Sequence, residues 1–235
     1  MGATSGIGLE VAKILCGKGW TLGVAGRREE KLRELQASYP EHMSYQVIDI
    51  EKEDAPQLLQ SLIDKIGGMD LYFHGSGVGW QNEDLDLSTE LKTVSTNALG
   101  FTRMVDSAWH YFSQKGGGHI AVISSIAGVK GLGPAPSYSA TKRYCNTYIQ
   151  ALVQLSRKQE LNIRFTDIRP GFVDTPLLEG SQRLYPMLMD SKKVARKIVR
   201  AIEKRKRTAI IDWRYKILVF LWRMIPNWLW ERIRL

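Results

Sequence analysis

Six short apolar runs rich in β-formers alternate with amphipathic stretches of helical period along most of this 235-residue chain, and no other feature limits its fold so strongly. The runs are 20–26 (WTLGVAG), 43–50 (MSYQVIDI), 69–75 (MDLYFHG), 119–125 (HIAVISS), 162–168 (NIRFTDI) and 208–212 (TAIID). Helical spacing of apolar residues fills 9–19, 29–38, 55–67, 89–114, 137–159 and 190–207, with Asp190 or Ser191 placed to cap the last of these. Strands that alternate with helices predict a parallel sheet covered on both faces, a doubly wound α/β fold. The chain carries no internal repeat, low-complexity segment or linker, so one domain is expected over 1–212, with 213–235 as an appended tail.

The first helix is preceded by MGATSGIG, in which Gly2, Gly6 and Gly8 are spaced G-x-x-x-G-x-G and Thr4, Ser5 and Ile7 complete the loop. Glycine allows positive φ and close backbone approach, so loop amides and a helix N-terminus can face a pyrophosphate; a short glycine pattern alone is equally an ordinary turn. The reader of the adenosine ribose lies about 20 residues on, at the end of the next strand, where Arg27 and Arg28 stand. An acid there suits the ribose hydroxyls of NAD, whereas a guanidinium suits a 2′-phosphate, so NADP is favoured over NAD. Asp49, followed by Ile50, is placed either to accept from an adenine amino group or to cap the next helix.

Doubly wound sheets put a central strand directly before such a loop, yet no residue precedes Met1 here. Loss of that strand would strip partners from two neighbours, on the scale of the whole ~5–15 kcal/mol of net stability. The expectation is therefore that the first strand is missing from this chain. Met1 would not be the natural start, with roughly six to ten apolar-rich residues before it.

Tyr138 and Lys142 lie four residues apart on a predicted helix and project from one face. A phenol titrates near ~10 in water, and an ammonium beside it favours the phenolate. Such a pair can pass a proton to and from an alcohol/carbonyl couple. Ser125 ends a strand, where open α/β sheets hold their ligands, with a hydroxyl suited to a carbonyl oxygen.

G-A-T-S-G-I-G, A-G-R-R, V-I-S-S-I-A-G, Y-S-A-T-K and R-P-G-F-V-D-T-P occur in one order. With them the chain resembles the short-chain dehydrogenase/reductase family over nearly all of 1–212. The resemblance implies a Rossmann-like sheet of about seven strands, NAD(P)(H) binding and direct hydride transfer between a secondary alcohol and a ketone. It implies that Tyr138 is the general acid/base, that Ser125 holds the substrate oxygen and that Lys142 also bonds the nicotinamide ribose. Asn97 would complete a proton relay through water. Pro170, Gly171, Val173 and Thr175 would meet the nicotinamide carboxamide or pyrophosphate, and the backbone at Ser76 and Gly77 the cofactor ribose. The Y-x-x-x-K spacing is unlike that of the enoyl-reductase branch. One departure stands out: His74-Gly75-Ser76-Gly77 replaces the usual Asn-Asn-Ala-Gly, so His74 either takes over the asparagine's bonds or titrates near the site. The alternative function is a catalytically weak cofactor-binding regulator or scaffold. The family also implies a homodimer or homotetramer.

Of 33 Lys and Arg, 14 lie in residues 192–235 beside three acids, a net of +11, while the remaining 19 face 21 acids, a net of −2. The tail, WRYKILVFLWRMIPNWLWERIRL, holds four of the seven tryptophans, and its longest uncharged run, 224–230, is far short of a bilayer span. Helices on either side of Pro226 would be apolar over most of their surface, with Arg214, Lys216, Arg223, Arg232 and Arg234 to meet headgroups. Residues 192–235 thus suit peripheral membrane contact, which can coexist with packing over the substrate pocket or an oligomer interface. No nucleic-acid module accompanies the charge. Cys16 and Cys145 show neither disulfide nor metal spacing, no metal is expected, and no secretory signal is visible. The expected setting is cytoplasmic, at the inner membrane surface where the tail docks, and residues 176–189 are expected to cover a pocket whose substrate the sequence leaves open.

Overall fold

A computed structural model describes residues 1–178 and 185–233. Residues 179–184 of the expected pocket cover, and Arg234, lie outside the described residues. The elements run α1 (Gly6–Cys16), β1 (Leu22–Gly26), α2 (Glu29–Ala37), β2 (Met43–Val47), α3 (Ala55–Lys65), β3 (Leu71–His74) and α4 (Leu87–Val94). After a π-helical turn (Ser95–Gly100) come α5 (Phe101–Lys115), β4 (Gly118–Ile123), a 3₁₀ turn (Ile126–Val129), α6 (Pro136–Lys158) and β5 (Ile163–Arg169). The chain closes with α7 (Ser191–Glu203), β6 (Thr208–Ile210), α8 (Trp213–Met224) and α9 (Asn227–Trp230).

All strand pairs are parallel, in two sheets: β1 with β2, and β3, β4, β5, β6 in that order. The single sheet of about seven strands is corrected in this respect. Among the described residues six strands form, and no ladder joins β1 to β3. Among the described residues, the backbone hydrogen bonds that link the two sheets run through Met1 and Gly2 at their carboxyl ends. There the Met1 nitrogen donates to Phe73 O (2.9 Å), Gly75 N donates to Met1 O (3.0 Å), and Gly2 N donates to Ala25 O (2.8 Å). Met1 and Gly2 thus occupy the position at which a central strand would hand over to the loop.

Strand residues alternate between two cores, as the period of 2 requires. On one face Tyr72, Ile120, Val122 and Phe165 pack with α3, α5 and α6; on the other Ala121 and Ile168 pack with α1, α7 and α8. The expected long helix over 89–114 is interrupted by the π turn, whose extra residue per turn sequence periodicity does not disclose. Asp190 does cap α7, accepting from Lys193 N at 2.8 Å. Cys16 and Cys145 are free and buried.

Two histidines sit among these packed strands. His119 Nε2 shares a hydrogen bond with Thr166 Oγ1 (2.9 Å), and His74 Nδ1 shares one with the Tyr72 hydroxyl (2.9 Å). Burial is the main cause that lowers His74 to about 3 and His119 to about 4, against an ordinary ~6.5 in the unfolded chain. Between those values the unfolded chain binds the protons, so this contribution to stability is whole above about pH 6.5 and is lost as pH falls toward the folded values. The urea midpoint is expected to drop from pH 7 to pH 5. His74→Asn should recover up to about 2 kcal/mol of that drop, and an identical drop in the variant would refute the assignment.

Candidate active site

Both halves of the site lie at the carboxyl ends of the strands, on either side of the junction between the sheets. Gly2 adopts φ +82°, and a Cβ there would stand 2.7 Å from Ser76 N, so only glycine lets the loop pass against 75–76. A Cβ on Gly8 would lie 2.1 Å from Gly2 O, which presses the loop onto the start of α1. The Ser5 side chain does not cap α1, so the helix N-terminus keeps its amides for another acceptor. Thr175 reaches the same loop from beyond β5, its Cγ2 3.2 Å from where a Gly6 Cβ would be. A helix N-terminus and close-packed backbone therefore converge where a pyrophosphate would fit, with the Thr175 methyl against the loop and its hydroxyl donating to Val173 O (3.2 Å).

The two arginines after β1 separate in space. Arg28 lies on the glycine loop, donating from Nη2 to Thr4 Oγ1 (2.7 Å) and Ser5 Oγ (2.6 Å) and from Nε to Thr4 Oγ1 (3.1 Å). Arg27 instead turns toward Glu51, 4.0 Å away, a carboxylate shared with Lys92, Ser95 and Thr96. Asp49 accepts from Glu51 N (3.2 Å), a turn-forming bond, and Ile50 O accepts from Arg103 Nη1 (2.8 Å).

Across the junction, the π turn aims the buried Asn97 at the loop after β3. Its Oδ1 accepts from Val78 N (2.9 Å), and its Nδ2 donates to Val78 O (2.7 Å) and Thr141 Oγ1 (3.2 Å). The amide thereby copies a strand partner and clamps residue 78. Gly77 is wedged between Asn97 and Lys142: a Cβ there would meet Oδ1 at 3.3 Å and Nζ at 3.4 Å. Lys142 is buried, donates to Ile123 O (3.3 Å), and holds its Nζ 5.6 Å from the centre of the Tyr138 ring. Ser125 begins the 3₁₀ turn, accepting from Ala127 N (3.1 Å) and donating to Pro170 O (3.4 Å). That turn packs on α6, where a Gly128 Cβ would meet the Lys142 carbonyl carbon at 2.7 Å. The structure thus gathers Asn97, Ser125, Tyr138 and Lys142 around the ends of β3 and β4.

His74 is fully buried, edge-on to Phe101 at 5.1 Å, and bonded to a residue of its own strand. It does not take over the interstrand bonds of an asparagine, and its ring is neutral at ordinary pH.

Several residues of the site escape sequence reasoning. Glu90 accepts from Ser137 N (3.1 Å), Ser137 Oγ (3.0 Å) and Asn82 Nδ2 (2.9 Å), so a carboxylate from α4 caps α6 one residue before Tyr138. The clue was negative: Ala135 at the head of α6 has no side chain that could cap. Tyr215 of α8 donates to Pro186 O and Met187 O (3.1 Å each) and accepts from Phe172 N (3.1 Å), tying 171–172 to 186–187. Gly79 lies flat on the tyrosine, where a Cβ would stand 2.5 Å from Tyr138 Cδ2.

Comparison with known proteins gives this arrangement its context. The family model described as "short chain dehydrogenase" matches residues 1–184. An uncharacterized oxidoreductase of Mycobacterium tuberculosis is 28% identical, over 98% of this chain and 94% of its own length. One of Listeria innocua is 31% identical over 76% of this chain and 74% of its own. Among solved structures, ElxO with NADP bound aligns with TM-score 0.79 at 22% identity, covering 92% of this chain and 97% of that one. A short chain dehydrogenase/reductase from Burkholderia phymatum in complex with NAD aligns with TM-score 0.83 at 18% identity, covering 94% and 90%.

Gly79 supplies a test of the geometry. Gly79→Ala must displace the Tyr138 ring, and on the expectation that Tyr138 is the general acid/base a shift of about 1 Å costs on the order of a hundredfold in rate. The expected outcome is a fall in kcat of at least about tenfold, with NADPH affinity and thermal midpoint little changed. Wild-type kcat in the variant would show that the packing does not set the tyrosine.

Proposed function

The chain belongs to the short-chain dehydrogenase family of NAD(P)-dependent oxidoreductases acting on CH–OH groups, and on that premise we propose that it interconverts a secondary alcohol and a ketone with NADP(H) preferred. The observation that carries the reaction is the Tyr138–Lys142 pair on one face of α6, beside the turn that starts at Ser125. In this reading Tyr138 donates the proton to the carbonyl oxygen and recovers it in the reverse direction. Ser125 bonds that oxygen, and Lys142 keeps positive charge beside the phenol. Asn97 holds Val78, and through Gly77 it steadies Lys142. The nicotinamide cofactor, when bound, supplies or accepts the hydride.

Gly2, Thr4, Ser5, Gly6, Ile7 and Gly8 would hold the pyrophosphate with Thr175, while Ser76, Gly77, Tyr138 and Lys142 would serve the nicotinamide ribose. Pro170, Gly171 and Val173 would border the ring, and Asp49 and Ile50 the adenine. Arg28, already bonded to two hydroxyls of the loop, supports NADP(H), because a guanidinium rather than a carboxylate lies on that loop. Arg27, turned toward Glu51, would join it only by leaving that carboxylate.

We place the catalytic domain at 1–212, the tail at 213–235, and the substrate among lipophilic carbonyls. Exposed Trp80, next to Gly79, and Phe172, packed on Tyr185 at 4.7 Å between ring centres, support that choice. A cytoplasmic homodimer or homotetramer that meets a membrane through 192–235 completes the reading. The buried, uncatalytic position of His74 gives a regulator without turnover no support of its own.

NADPH should bind clearly tighter than NADH, with Arg28→Ala shrinking the gap more than Arg27→Ala; equal affinities in the intact protein would sink the cofactor assignment. Against a panel of ketones, Tyr138→Phe should lower kcat by at least about a hundredfold while NADPH titration stays near wild type. Turnover retained by that variant would remove Tyr138 from its role.

A further inference from the structure

Helix α8 has two apolar faces, and the protein uses one of them. At about 100° per residue, Tyr215, Leu218, Val219 and Trp222 share the side packed into the core over α1 and α7. Trp213, Ile217, Phe220, Leu221 and Met224 share the opposite side and face solvent, with Trp213, Phe220 and Met224 exposed by 66%, 64% and 69%. A helix on a globular surface normally turns polar residues outward; this stripe is apolar throughout. Beyond Pro226, exposed Trp228 and Leu229 add to the apolar surface. By helical geometry Lys216 and Arg223 edge the stripe of α8 on one flank and Arg214 on the other. Arg232 stacks over Trp228 at 5.4 Å.

The inner side of the same segment is fastened to loops of the site. Trp230 Nε1 donates to Gly131 O (2.7 Å), and Lys130 Nζ donates to Ile225 O and Asn227 Oδ1 (2.8 Å each). Tyr215 holds 171–172 and 186–187. The outer stripe is therefore tied to the loop that follows Ser125 and the loop that follows Pro170.

From this arrangement we infer that the outer face of α8 and α9 docks in the plane of an anionic lipid surface, with its aromatic and aliphatic side chains in the headgroup–acyl boundary and its flanking cations on lipid phosphates. Among the described residues no helix is long and apolar enough to cross a membrane, so the contact lies along the surface. The charge selects this occupant over a second copy. An isologous pairing would set residues 213–235, five Lys and Arg beside one acid for a net of +4, against themselves, whereas an anionic surface neutralises them. The inference deepens the oxidoreductase reading and rests on it for its purpose: docking sets the substrate loops beside the bilayer, where a lipophilic carbonyl resides.

Truncation at Asp212 would also remove the Tyr215 and Trp230 anchors, so the test is the full chain carrying Phe220→Ser, Leu221→Ser and Met224→Ser together. The probe is vesicles of phosphatidylglycerol with phosphatidylcholine, compared with pure phosphatidylcholine by co-sedimentation. Wild type should sediment with the anionic vesicles, less so as salt rises, and the triple variant's partition should fall at least about tenfold. NADPH titration and thermal midpoint should not change, which separates lost docking from lost folding. Equal sedimentation of the two proteins, or none by wild type, overturns the inference. So does light scattering that shows wild type self-associating through this face without binding vesicles. Turnover of a water-soluble ketone is read in parallel: its absence with vesicle binding intact would defeat the oxidoreductase reading and leave the docking surface standing.

Discussion

The arrangement depends first on two backbones coming closer than side chains permit. Gly2 passes against Gly75 and Ser76, and at this contact the β1–β2 sheet meets the β3–β6 sheet. Few hydrogen bonds cross there, so their alignment counts for more than their number. Met1 bonds to β3 and to the loop after it, while Gly2 bonds to the end of β1. From Ser76 the constraint runs onward: Gly77 wedges between Asn97 and Lys142, Val78 is clamped by Asn97, and Gly79 lies on Tyr138. Five consecutive residues thus connect the glycine loop to the tyrosine. Displacing Gly2 would move the floor under both halves of the site.

What the sequence disclosed and what it withheld divide along physical lines. Strand and helix periods report burial, so the six strands and their parallel arrangement were legible, as was the cap at Asp190. Tyr138 and Lys142 were legible because helical spacing alone puts them on one face. The π turn was not, since one added residue within a turn leaves hydrophobic spacing nearly intact on both sides. Nor was the carboxylate that caps α6, because Glu90 acts across 47 positions of chain from a helix with no motif. The two arginines mark the opposite limit. Adjacency in sequence made them look equivalent, and only the loop geometry gives one the hydroxyls of Thr4 and Ser5 and the other a carboxylate.

The tail shows why composition cannot assign a surface. Its apolar residues suited both packing and membrane contact, and the structure divides them by helical phase rather than choosing. Tyr215 illustrates the division. Its ring lies against Gly171 and its hydroxyl serves three backbone groups, so it acts as a structural residue of the loops at 171–172 and 186–187 despite its place in the tail. Phe220, five residues on, faces away from all of this.

The two ends of the site are therefore built from different materials. At the glycine loop a methyl added at Gly2 or Gly8 would collide with main chain, which has little room to adjust. The other end carries exposed apolar side chains on loops, tied by the Tyr215 hydroxyl, the Trp230 indole and the Lys130 ammonium. A hydrogen bond of that kind contributes about 1 kcal/mol net, so those loops can shift for small gains and losses while the glycine loop cannot. The long-range ties from the tail are then the elements that keep an adjustable mouth in register with a fixed tyrosine.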